Sequence, residues 1–210
     1  MIKREHLLRA IVVALVAMVA LRGAAAEEVH DTVYFYNTWE QMLMDRPAAM
    51  FIDPVISVMP PYFNDFKIAM PEDQWNVMIR DKFIAAQAGS IWLINSTYLK
   101  RSFGWESCVQ GSYVTLFFND KVAYVDYEWP NNGWYDRDFF YIDFKQRKLV
   151  QLMPASLSAL LNECGYYDLR MRYEGMKNYK SVDVIDDFFF QYIDRVTQDT
   201  NMPGILDYVE

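Results

Sequence analysis

Histidine is nearly missing from this chain. There are two, His6 and His30, and the first lies in a segment expected to be removed. A Ser-His-Asp or Cys-His relay needs imidazole to carry the proton, and a histidine-rich zinc site needs it as a ligand. His30 falls close to the start of what remains, where chains usually fray. Any catalysis would therefore run on carboxylates, Tyr, Lys or Arg. Glycine is scarce as well, at eight residues. No Gly-rich phosphate loop, Walker lysine motif, Gly-x-Ser-x-Gly, Ser-x-x-Lys, Cys-x-x-Cys or His-Glu-x-x-His occurs. We expect no cofactor, no metal and no catalytic constellation, so the chain leans away from enzyme function.

Long apolar runs are also lacking, with one exception at the N-terminus. Lys3, Arg4 and Arg9 precede an uncharged stretch from Ala10 to Leu21, and Ala24-Ala25-Ala26 then offers a small-x-small cleavage site before Glu27-Glu28. This is the three-part layout of a secretory signal peptide. The run is short of the about 20 residues that span a bilayer. The other reading is an N-terminal anchor that is never cut. No cysteine stands at the cleavage site to take a lipid, and no later segment reads as a transmembrane helix. The sequence thus predicts a 1–26 signal peptide and a single globular domain over 27–210, exported to the periplasm or the extracellular space.

Basic charge is the next shortage. Residues 1–26 hold Lys3, Arg4, Arg9 and Arg22 against Glu5, so their removal takes the formal charge from −8 to −11. Such a chain repels nucleic-acid phosphates, which need clustered cations, and anionic lipid surfaces. Neutral glycans, peptides and cations remain open as partners. What is abundant is apolar and aromatic surface, 53% and 17% of residues, which is a folding composition.

The two cysteines, Cys108 and Cys164, are a disulfide candidate, since exported proteins keep disulfides. Closing that loop would add about 4 kcal/mol on the chain-entropy account. Cys164 also ends an apolar helical stripe, so a buried free thiol is the rival reading. Pairing is a geometric matter that spacing does not decide.

Period-2 and turn signals dominate the first two thirds. Thr32–Tyr36 reads as a strand, and Asn37 or Thr38 can cap a helix through Leu43, with Glu40 and Gln41 placed to reach back. Ala48–Ile52 and Val55–Met59 read as extended pieces broken by Pro54, while Pro60, Pro61 and Pro71 stop any helix. Lys82–Ala88 and Ile91–Ile94 suggest a hairpin about Gly89-Ser90, and Thr97–Phe103 a helical turn or two. Tyr113–Phe118 and Val122–Trp129 flank Asn119-Asp120; Phe139–Phe144 and Leu149–Leu152 flank Lys145–Lys148. Turn chemistry of this kind predicts an antiparallel meander of four strands.

Beyond Pro154 the period becomes helical. Leu157, Leu160, Leu161 and Cys164 fall at i, i+3, i+4 and i+7, with Gly165 as a stop. Leu169–Glu174 alternates ambiguously and reads best as a short helix. Ser181 can cap a long one with an apolar stripe of Ile185, Phe188, Phe189, Tyr192, Ile193 and Val196, ended by Met202-Pro203-Gly204. Strands followed by helices predict an α+β fold: an antiparallel β-meander in the middle of the chain packed against C-terminal helices in a single domain.

The segments Asp31–Leu43, Ser90–Lys100, Phe118–Tyr124 and Leu169–Asp199 resemble a family of small secreted proteins from Bacteroidales-type gut bacteria, known only as a domain of unknown function. The resemblance implies a Gram-negative envelope setting and no particular activity. In that setting Asp31-Thr32-Val33 fits an O-glycosylation pattern of exported proteins. Asn95-Ser96-Thr97 is an N-glycosylation sequon, read here as a chance match.

The most suggestive stretch is Asp126 to Phe140. It holds Trp129-Pro130-Asn131-Asn132-Gly133-Trp134-Tyr135, read as a loop between two strands, beside Asp136 and Asp138. Loops carry function more often than cores. Flat aromatic faces beside carboxylates and amides suit sugar rings, so Trp129, Trp134, Tyr135, Asp136 and Asp138 are the candidate ligand-binding residues. The same aromatics can instead fold back to cap the sheet. Asp136 and Asp138 with Asn131 and Asn132 fit no established Ca²⁺ loop. Asp183, Asp186, Asp187 and Asp194 on the last helix are a weak candidate for a carboxylate pair, and Arg170, Arg172 and Arg195 for an anion clamp.

The leading expectation is a non-enzymatic exported module that binds a glycan, a peptide or an envelope protein. The alternatives are a carboxylate-dependent hydrolase acting on cell-wall or dietary glycans, and a structural envelope subunit.

Overall fold

The computed structural model describes residues 32–52, 54–58, 65–69, 83–105, 112–131 and 134–209. The chain divides into Met1–His30 and a compact unit Asp31–Glu210; only the second is described here. In chain order its strands and helices are β1 (Thr32–Tyr36), α1 (Trp39–Leu43), β2 (Ala49–Ile52), β3 (Val55–Val58), β4 (Asp65–Ala69), β5 (Ala85–Ala88), β6 (Ile91–Asn95), α2 (Ser96–Phe103), β7 (Tyr113–Phe118), β8 (Ala123–Asn131), β9 (Trp134–Asp143), β10 (Lys148–Gln151), α3 (Pro154–Glu163), α4 (Tyr167–Glu174) and α5 (Val182–Gln198). The fold is α+β, with an antiparallel sheet in the middle of the chain and helices at its C-terminus.

The sheet is larger than the four-strand meander. Its main path runs β10-β9-β8-β7-β6-β5-β1-β2, and the β3–β4 hairpin joins through β4 to the start of β7. Every pairing among the described strands is antiparallel. The predicted meander is the β7–β10 half. The other half is assembled by a long-range pairing, Val33 of β1 opposite Ala88 of β5.

Both faces of the central strands are covered, and the period of two sorts them. On β8 and β9, Ala123, Val125, Tyr127, Phe140 and Ile142 face one apolar cluster, which contains Trp39 and Met42 of α1, Leu99 and Phe103 of α2, and Ile205. Tyr124, Phe139 and Tyr141, in the opposite phase, meet Leu157, Leu161, Tyr173, Phe188, Phe189 and Tyr192 of α3–α5. A third cluster joins Val33, Phe35, Ala86, Leu93 and Tyr113 to Ile68 of β4. The middle of the sheet therefore lies between two helical layers. No helix among the described residues is long and apolar enough to cross a membrane.

The helix ends follow their sequences. Thr38 Oγ1, at the N-cap of α1, accepts from Gln41 N at 3.1 Å, and Gln41 Oε1 reaches back past the cap to accept from Asn37 N at 2.8 Å. Pro154 opens α3, where a missing N–H costs nothing. Gly165 follows its C-cap, Cys164, at φ 76°, a left-handed conformation that glycine adopts without strain. Ser181 is the N-cap of α5 but makes no side-chain capping bond.

The turn at Asn119-Asp120 does more than reverse the chain. Asn119 Oδ1 accepts from Lys121 N and Val122 N, both at 2.8 Å, while its Nδ2 donates to Thr197 Oγ1 at 2.8 Å. Lys121 Nζ donates to the carbonyls of Thr197 and Asp199, and Ile205 N to the carbonyl of Asp120. A cation on the open carbonyls of a helix C-terminus is favourable, so this turn pins the end of α5 to the sheet.

The sequon asparagine has a structural job. Asn95 is 2% exposed. Its Oδ1 accepts from Thr97 N at 2.8 Å and Tyr98 N at 3.4 Å, capping α2, and its Nδ2 donates to the Phe83 carbonyl at 3.3 Å. An amide so enclosed does not carry a glycan in the folded protein. Asn95→Ala leaves two helix N–H groups and a buried carbonyl without these partners, so we expect a loss of about 2–3 kcal/mol in urea unfolding. A loss under about 0.5 kcal/mol would mean that water replaces all three bonds.

Candidate functional site

The candidate stretch is a hairpin, not a loop. β8 and β9 pair without a break from Tyr124 opposite Tyr141 to Asn131 opposite Trp134; positions 132 and 133, with Asn132 and Gly133, lie outside the described residues. Their neighbours stop earlier. β7 pairs with β8 only from Phe118 opposite Ala123 to Thr115 opposite Asp126. β10 pairs with β9 only from Lys148 opposite Asp143 to Gln151 opposite Phe140. Among the described strands, residues 127–131 and 134–138 therefore pair only with each other, as a two-stranded ribbon continuing past the body of the sheet.

Register sorts the five predicted site residues. Trp129 stands opposite Asp136, Asn131 opposite Trp134, and Tyr127 opposite Asp138. Positions 129, 134, 136 and 138 thus share one strand phase, and Tyr135, opposite Pro130, has the other. Four of the five are brought to one side of the ribbon backbone and the fifth is not.

The root of the ribbon is well packed. Tyr127 is 1% exposed, and its ring meets that of Trp105 edge-on at 5.2 Å and 83°. Trp105 also lies 5.8 Å from Phe140. Among the described residues the buried Trp105 Nε1–H finds no acceptor, a costly arrangement for an indole. Asp138 Oδ2 accepts from Gln151 Nε2 at 2.6 Å, tying the base of β9 to β10. Neither Trp105 nor Gln151 was a sequence candidate: Gln151 lies inside the predicted strand Leu149–Leu152, and Trp105, between Gly104 and Glu106, has no pattern to mark it.

The three arginines and one of the aspartates have partners within the fold. Arg195 bonds both carboxylate oxygens of Asp168, at 2.8 and 2.7 Å, and sits over the Tyr166 ring at 5.0 Å. Arg170 bonds Asn162 and pairs with Glu174, and Arg172 bonds Gln191 and covers Phe188. Asp183 and Asp194 are exposed on α5, and Asp187 accepts from Gln191 at 2.9 Å. The Arg195 guanidinium holds the Asp168 carboxyl below the usual range. Among the described residues no group of three or more His, Cys, Asp or Glu is arranged to hold a metal.

Cys164 is a free thiol, with Sγ 3.8 Å from Tyr192 Oη; its candidate partner Cys108 lies outside the described residues. Burial pushes the thiol upward despite the Tyr192 hydrogen bond, which disfavours the nucleophilic thiolate. Of the O-glycosylation pattern, Thr32 lies in β1 opposite Ile52, and Asp31 is outside the described residues.

No family model, no characterised protein and no solved structure matches this chain.

Proposed function

We propose that this chain is a non-enzymatic binding module, exported by its N-terminal signal, that engages a glycan, a peptide or an envelope protein through the β8–β9 ribbon. One observation carries the reading: among the described strands, the segments bearing Trp129, Trp134, Tyr135, Asp136 and Asp138 continue past their neighbours β7 and β10 and pair only with each other. A two-stranded ribbon is marginal in water by itself, and aromatic strand residues gain most from being covered. A sugar ring or an extended peptide supplies that cover, with carboxylates in the same strand phase to accept its hydroxyl or amide hydrogens. The segment 1–26 and the resemblance to secreted Bacteroidales-type proteins support an envelope setting.

The test is a thermal-shift panel of glycans, wall fragments and peptides against residues 27–210. A ligand at 100-fold its Kd adds about 2.7 kcal/mol, a rise of roughly 5–10 °C in Tm for a chain of this size. The double variant Trp129→Ala/Trp134→Ala is expected to keep the unliganded Tm and lose the shift. A ligand that shifts the double variant equally binds elsewhere, and the ribbon is then not the site.

A further inference from the structure

The two ends of the sheet are built differently. At one end β10, Lys148–Gln151, carries Lys148 in the strand and follows a turn that holds Lys145 and Arg147, so a strand approaching this edge meets one cation on it and two more in the turn beside it. At the other end β2, Ala49–Ile52, pairs on one side with β1 and, among the described strands, with nothing on its other side. It carries no charge from Ala48 to Ile52. Met50 and Ile52, two residues apart and so on one side of the strand, are 56% and 53% exposed. Pro47 and Pro54 bracket the strand without interrupting it. Exposed edges invite strand addition, and proteins that avoid it place lysines, prolines or bulges on them. The β10 edge has such guards and β2 has none within it.

From this contrast we infer that β2 is a self-association edge, on which a second copy of this chain pairs its own β2 antiparallel about a two-fold axis. An antiparallel pairing of identical strands is self-complementary, as a two-fold interface requires. Because the strand is neutral, no like charges are brought opposite one another, which the Lys145–Lys148 edge would do. Met50 and Ile52 of each copy then form one apolar strip across the junction and leave water together. Every second residue of β2 turns its N–H and C=O away from β1, and these groups find partners in the other copy. With the opposite edge guarded, pairing closes at the dimer instead of running on into a fibre. The formal charge of −11 on the signal-free chain opposes the encounter at long range, so added salt, which screens that repulsion, strengthens the dimer. The inference stands apart from the ribbon reading and from the identity of any ligand.

Sedimentation equilibrium of the secreted, signal-free protein over about a hundredfold concentration range tests it. We expect a monomer–dimer equilibrium that tightens with added salt, and hydrogen exchange that slows with concentration at the β2 amides. Met50→Lys and Ile52→Lys, at exposed positions, are each expected to weaken association by about tenfold or more with Tm at monomeric concentration unchanged. Either of two results overturns the proposal: a wild-type protein that stays monomeric over the whole range, or a dimer that both lysine variants retain.

Discussion

Phe189→Ala is expected to lower the unfolding free energy by about 3–5 kcal/mol, the range for truncating a fully buried aromatic. Phe189 is 0% exposed and lies where α5 meets the sheet. Its ring centroid is 5.4 Å from Tyr124 at 83°, 6.5 Å from Phe139, and 6.0 Å from Tyr192 at 19°. Removing it opens a cavity between β8, β9 and α5, and close-packed neighbours relax only partly into such a space. The edge-on contact with Tyr124 adds the ring-quadrupole attraction that an alanine lacks. The measurement is guanidinium unfolding followed by tryptophan fluorescence. Phe190→Ala is the internal control, since Phe190 is only half-buried beside the same rings, and its cost should be clearly smaller. Equal costs at 189 and 190 would mean that α5 is rotated about its axis from the orientation described.

That helix was legible because its pattern is redundant. Five of the six residues of its predicted stripe are buried, and Ile193 packs partly buried against the same cluster, so no single misjudged residue could hide the period. The ribbon was misread as a loop for the opposite reason. Pro130, Asn131, Asn132 and Gly133 are all turn residues by type, yet Pro130 and Asn131 sit within β8. Proline removes a ladder donor and is tolerated where a strand has an open side, which is the situation of β8 beyond Asp126, where β7 no longer pairs with it. Local composition cannot see that a strand outruns its neighbour. The same limit hid how the first half of the sheet assembles, although all of its strands but β4 were read as extended. Val33 meets Ala88 across more than fifty residues of chain, and β4 came with no alternation strong enough to mark it. Thr32–Tyr36, read as a strand, does not alternate cleanly for a physical reason: Val33 and Phe35 are buried in one cluster and Tyr36 in another, so both phases are apolar. The Asn95 sequon shows that a motif read by type alone can be a helix cap read by position.

Alkaline pH should unfold this protein abruptly. Burial pushes the Tyr166 and Tyr173 phenols up to about 12, helped at Tyr166 by the hydrogen bond to Asp199 and at Tyr173 by the charge of its neighbours. Burial also raises Tyr36, Tyr98 and Tyr141, and drives Tyr192 well above its ordinary value, with Cys164 alongside. A phenol ionises near pH 10 in an unfolded chain. The folded state therefore holds these protons more tightly than the unfolded one. Their contribution to stability is complete below about pH 10 and is lost as pH rises through about 12. Each tyrosine that ionises only on unfolding tilts the equilibrium by ~1.4 kcal/mol per pH unit in that window, and several do so together. Phenolate absorbance should thus appear late and in step with the loss of near-ultraviolet circular dichroism. Tyr192→Phe isolates the effect. At neutral pH it removes, among the described residues, a weak thiol contact at 3.8 Å, so it should match or fall slightly below wild type. Above pH 10 it has no proton to lose, so the order should reverse, with the variant the more stable. If phenolate forms gradually while the fold persists, or if the two curves stay parallel to the highest pH, the buried tyrosines reach solvent without unfolding and do not set the alkaline limit of the fold.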